Sequence, residues 1–86
     1  MPRSIRYHPL FETDVIDAAA WYDARNPMIG TAFVDEVSRA VDQLTQHPER
    51  RSVVDFGVCY WPVSRFPFLV FYDLHGHELL VLGVMH

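Results

Sequence analysis

The chain has 86 residues and a formal net charge of −4; half of its residues are apolar and twelve are aromatic. At this length folding buries only about 60–65% of the surface the unfolded chain exposes, enough for one modest core and one domain over residues 1–86. The composition excludes disorder, no stretch approaches the ~20 apolar residues of a membrane span, Met1 to Tyr7 lacks a signal-like apolar run, and Cys59 as the sole cysteine excludes an internal disulfide, so cytoplasmic residence is expected.

From Arg3 to Tyr7, Ile5 and Tyr7 alternate with charged or polar neighbours, the pattern of a short strand ended by Pro9. From Leu10 to Arg25 the residues Phe11, Val15, Ala18, Ala19 and Tyr22 recur at three- and four-residue steps, with Glu12, Asp14, Asp17 and Asp23 largely between them. That spacing predicts an amphipathic helix. Pro9 suits its first turn, where no N–H is needed; His8 is placed to cap it, and the early acids oppose the positive end of its dipole. Asn26-Pro27 interrupts the pattern and offers a cap for a second helix. This helix is expected to begin between Pro27 and Thr31 and to end near Gln46, with Ile29, Phe33, Val37, Ala40, Val41 and Leu44 on one face and Pro48 as its stop. So short a connection implies an antiparallel hairpin of facing apolar stripes.

After Glu49-Arg50-Arg51-Ser52 the period becomes that of strands, in the runs Val53 to Phe56, Val58 to Val63, Phe66 to Tyr72 and Leu79 to Met85. Asp73-Leu74-His75-Gly76-His77 reads as a polar hairpin turn, which makes the last two runs antiparallel neighbours. Leu79-Leu80-Val81-Leu82 is apolar on consecutive positions, as in a central strand covered on both faces. Pro62 and Pro67 lack a ladder donor and mark strand ends, edges or a bulge. The resulting order is β-α-α-β-β-β, an α+β fold with a helical hairpin on a twisted, mostly antiparallel sheet, and Cys59 is a small core or strand residue.

Residues 10–47 hold seven acids and two arginines, whereas the remainder holds four acids and five arginines. Nucleic-acid binding usually draws on a basic face, so direct sequence-specific DNA binding is not expected. Trp21, Tyr22, Tyr60 and Trp61 accordingly read as packing residues in preference to a base-stacking platform. His75 and His77 flank Gly76 in a loop, and two histidines without a third ligand make a poor metal site; no metal or other cofactor is expected.

Trp21-Tyr22 late in the first helix, Gly30 and Phe33 opening the second, Pro48 after it, Arg65-Phe66-Pro67-Phe68, Tyr72 and the apolar strand running to His86 together resemble the ParE/RelE toxin superfamily, often labelled plasmid-stabilisation proteins. The resemblance covers nearly the whole chain. It implies a toxin neutralised in a hetero-oligomer by a ParD-like antitoxin, which wraps its toxin as a helix plus an added strand. Members of the ParE kind act by binding DNA gyrase and perform no chemistry, and this sequence is closer to that branch. Arg65, Phe66, Tyr60, Trp61 and Trp21 are then the binding residues, with Arg65 as a surface anchor, although Arg65 reads equally as a solvated turn arginine.

Members of the RelE kind cut messenger RNA on the ribosome, which needs a base for a 2′-hydroxyl, a cation at the phosphate and an acid for the leaving oxygen. Arg65, Tyr72 and His86 are the candidates for those roles, and His86 also reads as a solvated chain end. With no lysine in the chain, the endoribonuclease is the second reading and the binding toxin the first. Three departures motivate a third reading, a degenerate toxin that retains only antitoxin binding. Cys59 stands where many relatives have arginine, Phe68 where they usually have tyrosine, and the sequence ends at His86 where most continue into a short basic tail.

Overall fold

A computed structural model describes residues 4–47, 50, 52–53 and 57–86. In chain order the elements are β1 (Ser4–Tyr7), α1 (Pro9–Asp23), α2 (Ile29–Gln46), β2 (Ser52–Val53), β3 (Cys59–Pro62), β4 (Leu69–His75) and β5 (Glu78–Met85). The strands form one sheet in the order β1-β5-β4-β3-β2, in which β1 runs parallel to β5 and the other neighbours are antiparallel. The two helices pack on each other, and α1 packs on β5 while α2 touches β3 and β4. The expected helical pair on a mostly antiparallel sheet is therefore present, with Ser52–Val53 as a further short strand at the far edge. Pro48, the expected stop of α2, and Val54 to Phe56, part of an expected strand, lie outside the described residues. Among the described residues no helix is long and apolar enough to cross a membrane.

The start of α1 follows from three adjacent residues. His8 is extended and its Nδ1 accepts the Leu10 N–H at 3.1 Å, while Pro9 occupies the first helical turn, where it forfeits no bond. The His8 N–H donates to the Val81 carbonyl at 2.8 Å, so the helix is launched from a point fixed on β5. The cap of α2 differs from expectation. Asn26 does not supply it; its carbonyl accepts the Ile29 N–H at 3.2 Å and closes the turn, and Asp23 Oδ1 reaches across to the Gly30 N–H at 2.8 Å. The donors at the start of α2 open toward the end of α1, so the carboxylate there is the nearer acceptor. Gly30 is needed at this crossing, because a Cβ would lie 2.5 Å from the Ala19 carbonyl oxygen and 2.5 Å from Asp23 Cγ.

The core lies between α2 and one face of the sheet. Phe33, Val37, Ala40, Val41 and Leu44 meet Cys59, Val63, Val70, Tyr72, Leu79, Val81 and Val84. Each fully buried large apolar side chain in this set contributes about 1.5–3 kcal/mol. β5 is an interior strand, as expected, but its cover is one-sided: Leu79 and Val81 are buried while Leu80 and Leu82 are half-exposed. A register shift between Phe71 and Tyr72 skips Leu82 and returns Val84 to the buried face. The β4–β5 link is also shorter than expected. Asp73, Leu74 and His75 stay in β4, paired with Leu80, Leu79 and Glu78, and only Gly76-His77 turns the chain. Gly76 has φ +58°, a backbone angle that lets two residues close the hairpin.

Candidate functional site

Residues 63–68 join β3 to β4 in a turn closed by the Val63 N–H on the Phe68 carbonyl at 2.9 Å and the Phe68 N–H on the Phe66 carbonyl at 2.8 Å. The turn drops two phenylalanines onto the helices. Phe66 lies 5.1 Å from Tyr22 and 5.2 Å from Phe33 between ring centroids, and Phe68 lies 4.9 Å from Phe33, all edge to face. The His86 ring completes the cluster, 5.4 Å from Phe68 at 83°. These arrangements set positive ring edges against negative faces, which favours them beyond simple burial. The Phe-Pro-Phe stretch, the end of α1 and the last residue are thereby held at one place.

A cavity of about 570 Å³ opens over this cluster, with Asp14, Asp17, Trp21, Phe68 and His86 in its wall. Trp21 is 53% exposed, and the Arg25 guanidinium carbon sits 3.5 Å from its ring centroid. A second apolar surface lies along α1 toward β1. Two adjoining hollows of about 300 and 430 Å³ share Tyr7, Phe11 and Val15; Val34 and Asp42 belong to the first, Ile16 and Glu12 to the second. Ile16 in this wall is 57% exposed, and Leu10, next to Phe11 in sequence, is 58% exposed. This surface is apolar with an acidic rim.

Arg65 occupies the same turn as Phe66 but lies on the α2 side. Its φ is +71°, its side chain is 69% exposed, and its Nη1 lies 3.5 Å from Glu36 Oε2. A third hollow, of about 380 Å³, holds Glu36, Arg39, Gln43, Ser64 and Arg65.

The residues expected to bind fall into two groups. Trp21 and Phe66 belong to the aromatic cluster and Arg65 to its turn, whereas Tyr60 and Trp61 sit on β3. Trp61 is half-buried and its Nε1 donates to Gln43 Oε1 at 3.1 Å, tying the sheet to α2, and Tyr60 pairs across the ladder with Phe71 on the other face. The three candidates for cleavage do not share a cavity. His86 lines the hollow beside Trp21, Arg65 the hollow beside Glu36, and Tyr72 is 0% exposed in the core, paired with Cys59 and Val81. A tyrosine on the helix-facing side of a central strand cannot reach an RNA phosphate. Among the described residues no group of three His, Cys, Asp or Glu side chains is placed to hold a metal ion.

Two carboxylates of the helices have structural partners. Asp14 Oδ2 accepts the Val84 N–H at 3.1 Å, and Glu36 is buried beneath two arginines. The three- and four-residue stepping that exposes the apolar stripe also marks Glu36, which falls between Phe33 and Ala40 on the buried face.

A helical pair on a five-stranded, mostly antiparallel open sheet is the fold of the ParE and RelE toxins. The chain superposes with a TM-score of 0.84 on a chain of the chromosomal ParDE toxin–antitoxin system from P. aeruginosa, at 18% identity over 96% of this chain and 94% of that one. Against the RelBE2 toxin–antitoxin complex from Mycobacterium tuberculosis the TM-score is 0.65, at 18% identity over 100% of this chain and 99% of that one. Among curated proteins none matches the sequence significantly. The family model for the ParE toxin of the type II toxin–antitoxin system parDE matches residues 5–86, and the chain belongs to that family.

Proposed function

We propose that this protein is the toxin of a type II toxin–antitoxin pair, acting in the cytoplasm as one domain over residues 1–86. A ParD-like antitoxin holds it inactive in a hetero-oligomer, and the free toxin acts by binding DNA gyrase, without chemistry of its own. The observation that favours binding over cleavage is the dispersal of Arg65, Tyr72 and His86, with Tyr72 sealed in the core. General acid–base catalysis needs its groups within hydrogen-bond reach of one reacting centre. Membership of the ParE family supports the type of system; the gyrase target rests only on the resemblance of the sequence to the gyrase-binding branch.

The antitoxin reading is supported by two neighbouring features. The hollows around Tyr7, Phe11 and Val15 suit the apolar face of an amphipathic helix, and their acidic rim suits basic residues on that helix. β1 stands at the edge of the sheet, where an added strand finds backbone groups to pair with. Co-expression with the product of the neighbouring small reading frame should yield a complex that survives purification; a toxin recovered alone would contradict the pairing.

Induced expression in a bacterial host separates the modes of action. Growth arrest with gyrase-trapped DNA is the expected result. Arrest with cleaved messages and intact DNA would replace the binding toxin with an endoribonuclease. Undisturbed growth would leave a degenerate toxin that retains only antitoxin binding.

A further inference from the structure

Glu36 is, among the described residues, the one charged side chain that is buried. It sits on the core face of α2 among Phe33, Val37 and Ala40, and both of its oxygens are engaged: Arg39 Nη1 lies 3.3 Å from Oε1 and 3.5 Å from Oε2, and Oε2 also lies 3.5 Å from Arg65 Nη1. Stability is a poor account of a carboxylate in such a place. Desolvating it offsets much of its attraction to the arginines, and an apolar side chain of similar volume commonly does as well or better.

What a carboxylate supplies and an apolar residue cannot is a fixed point for a guanidinium. Arg65 has particular use for one. Its side chain is long and 69% exposed, so untethered it would sample many rotamers. Its backbone holds φ +71° without being glycine or asparagine, and strain of this kind persists where the surroundings over-determine the conformation. The surroundings here are the two closing hydrogen bonds of the turn, the Phe66 ring against Tyr22 and Phe33, and Glu36. The contact to Glu36 uses Nη1, and a guanidinium has five N–H donors, so donors remain for an acceptor on a partner.

We infer that Glu36 is a positioning residue that holds the Arg65 guanidinium at the rim of the turn, ready to meet the toxin's target. This rests on the reading of Arg65 as the target anchor. An anchor immobilised before binding loses less side-chain entropy on association, so the carboxylate acts on target affinity through Arg65 and touches no target itself.

The test uses Arg65→Ala, Glu36→Gln, Glu36→Leu and the Glu36→Leu/Arg65→Ala double variant, each checked for folding by circular dichroism. Growth arrest is titrated against inducer, and the order of the Arg65 side chain is read from its Nε–H resonance by NMR. Glu36→Leu and Arg65→Ala should each raise the inducer needed for arrest about tenfold, the double variant should add nothing further, and Glu36→Gln, which keeps an acceptor, should fall between. The Arg65 Nε–H should be ordered in the native protein, motionally averaged in Glu36→Leu and of intermediate order in Glu36→Gln. A folded Glu36→Leu protein that arrests growth normally, beside an inactive Arg65→Ala protein, overturns the positioning role alone. Full arrest by Arg65→Ala overturns the anchor reading and the inference with it. If the native chain arrests nothing, the Nε–H resonance decides, and equal order with and without the Glu36 carboxylate overturns the inference.

Discussion

The two helices are built from similar apolar spacings and end up in different situations. α2 buries seven residues, five of them in the core against the sheet, whereas no residue of α1 is fully buried. Phe11, Val15, Ala18, Ala19 and Tyr22 of α1 are half-covered, and Leu10, Ile16 and Trp21 are open to solvent. An amphipathic stripe therefore states which residues seek cover without stating that the chain itself provides it. α2 completes the fold, and α1 leaves an unfinished apolar surface along two of its sides, one facing β1 and one facing His86.

Substitutions should separate the two helices by the size of their effect on stability. The largest loss is expected for Phe33→Ala on α2, which removes a fully buried ring in contact with Tyr22, Phe66 and Phe68 and should cost about 3–5 kcal/mol in urea denaturation. A cost below about 1 kcal/mol would mean that the aromatic cluster is not part of the core. Next is Gly30→Ala at the helix crossing. The added methyl meets the Ala19 carbonyl, a backbone atom that cannot step aside, so the overpacking cost of about 1–3 kcal/mol should outweigh the better helix propensity of alanine and lower the melting temperature.

Asp14→Ala should cost about 1–2 kcal/mol, because the Val84 N–H then loses its acceptor and α1 its hydrogen-bonded tether to β5. Faster amide exchange at Val84 is the local sign to look for. The smallest change in stability, within about 0.5 kcal/mol, is expected for Ile16→Ser on the open side of α1. The same substitution should weaken antitoxin binding at least fivefold by calorimetry, or about 1 kcal/mol. If it destabilised the free protein as much as Gly30→Ala, the contrast between the helices would disappear.

How far the sequence could be read follows the same division. The stripe from Phe33 to Leu44 and the pairing of the last two strands are local patterns, and periodicity plus one glycine turn were sufficient to place them. The cap at His8 was legible because it precedes Pro9 directly. The cap of α2 was not, since Asp23 acts across the loop and Asn26 is the better local candidate. The bulge opposite Phe71 and Tyr72 leaves Leu82 unpaired beside Gly83, a lone glycine that is its one local sign within an apolar run, and it explains why Val84 shares a face with Leu79 and Val81. At the site, Arg65 and Phe66 were recognisable from the Arg-Phe-Pro-Phe stretch. The left-handed backbone of Arg65 was hidden, and so was the burial of Tyr72, because a tyrosine in an alternating strand can face either side.

Amide hydrogen exchange of the free chain and of its complex with the cognate antitoxin tests the division between a finished α2 and an unfinished α1 most directly. In the complex, new protection should appear along β1 and α1 from Leu10 to Tyr22, while Phe33 to Leu44 of α2, already slow in the free chain, should change little. Protection gained instead around Tyr60 and Phe71 on the open face of the sheet, with α1 exchanging as before, would contradict it.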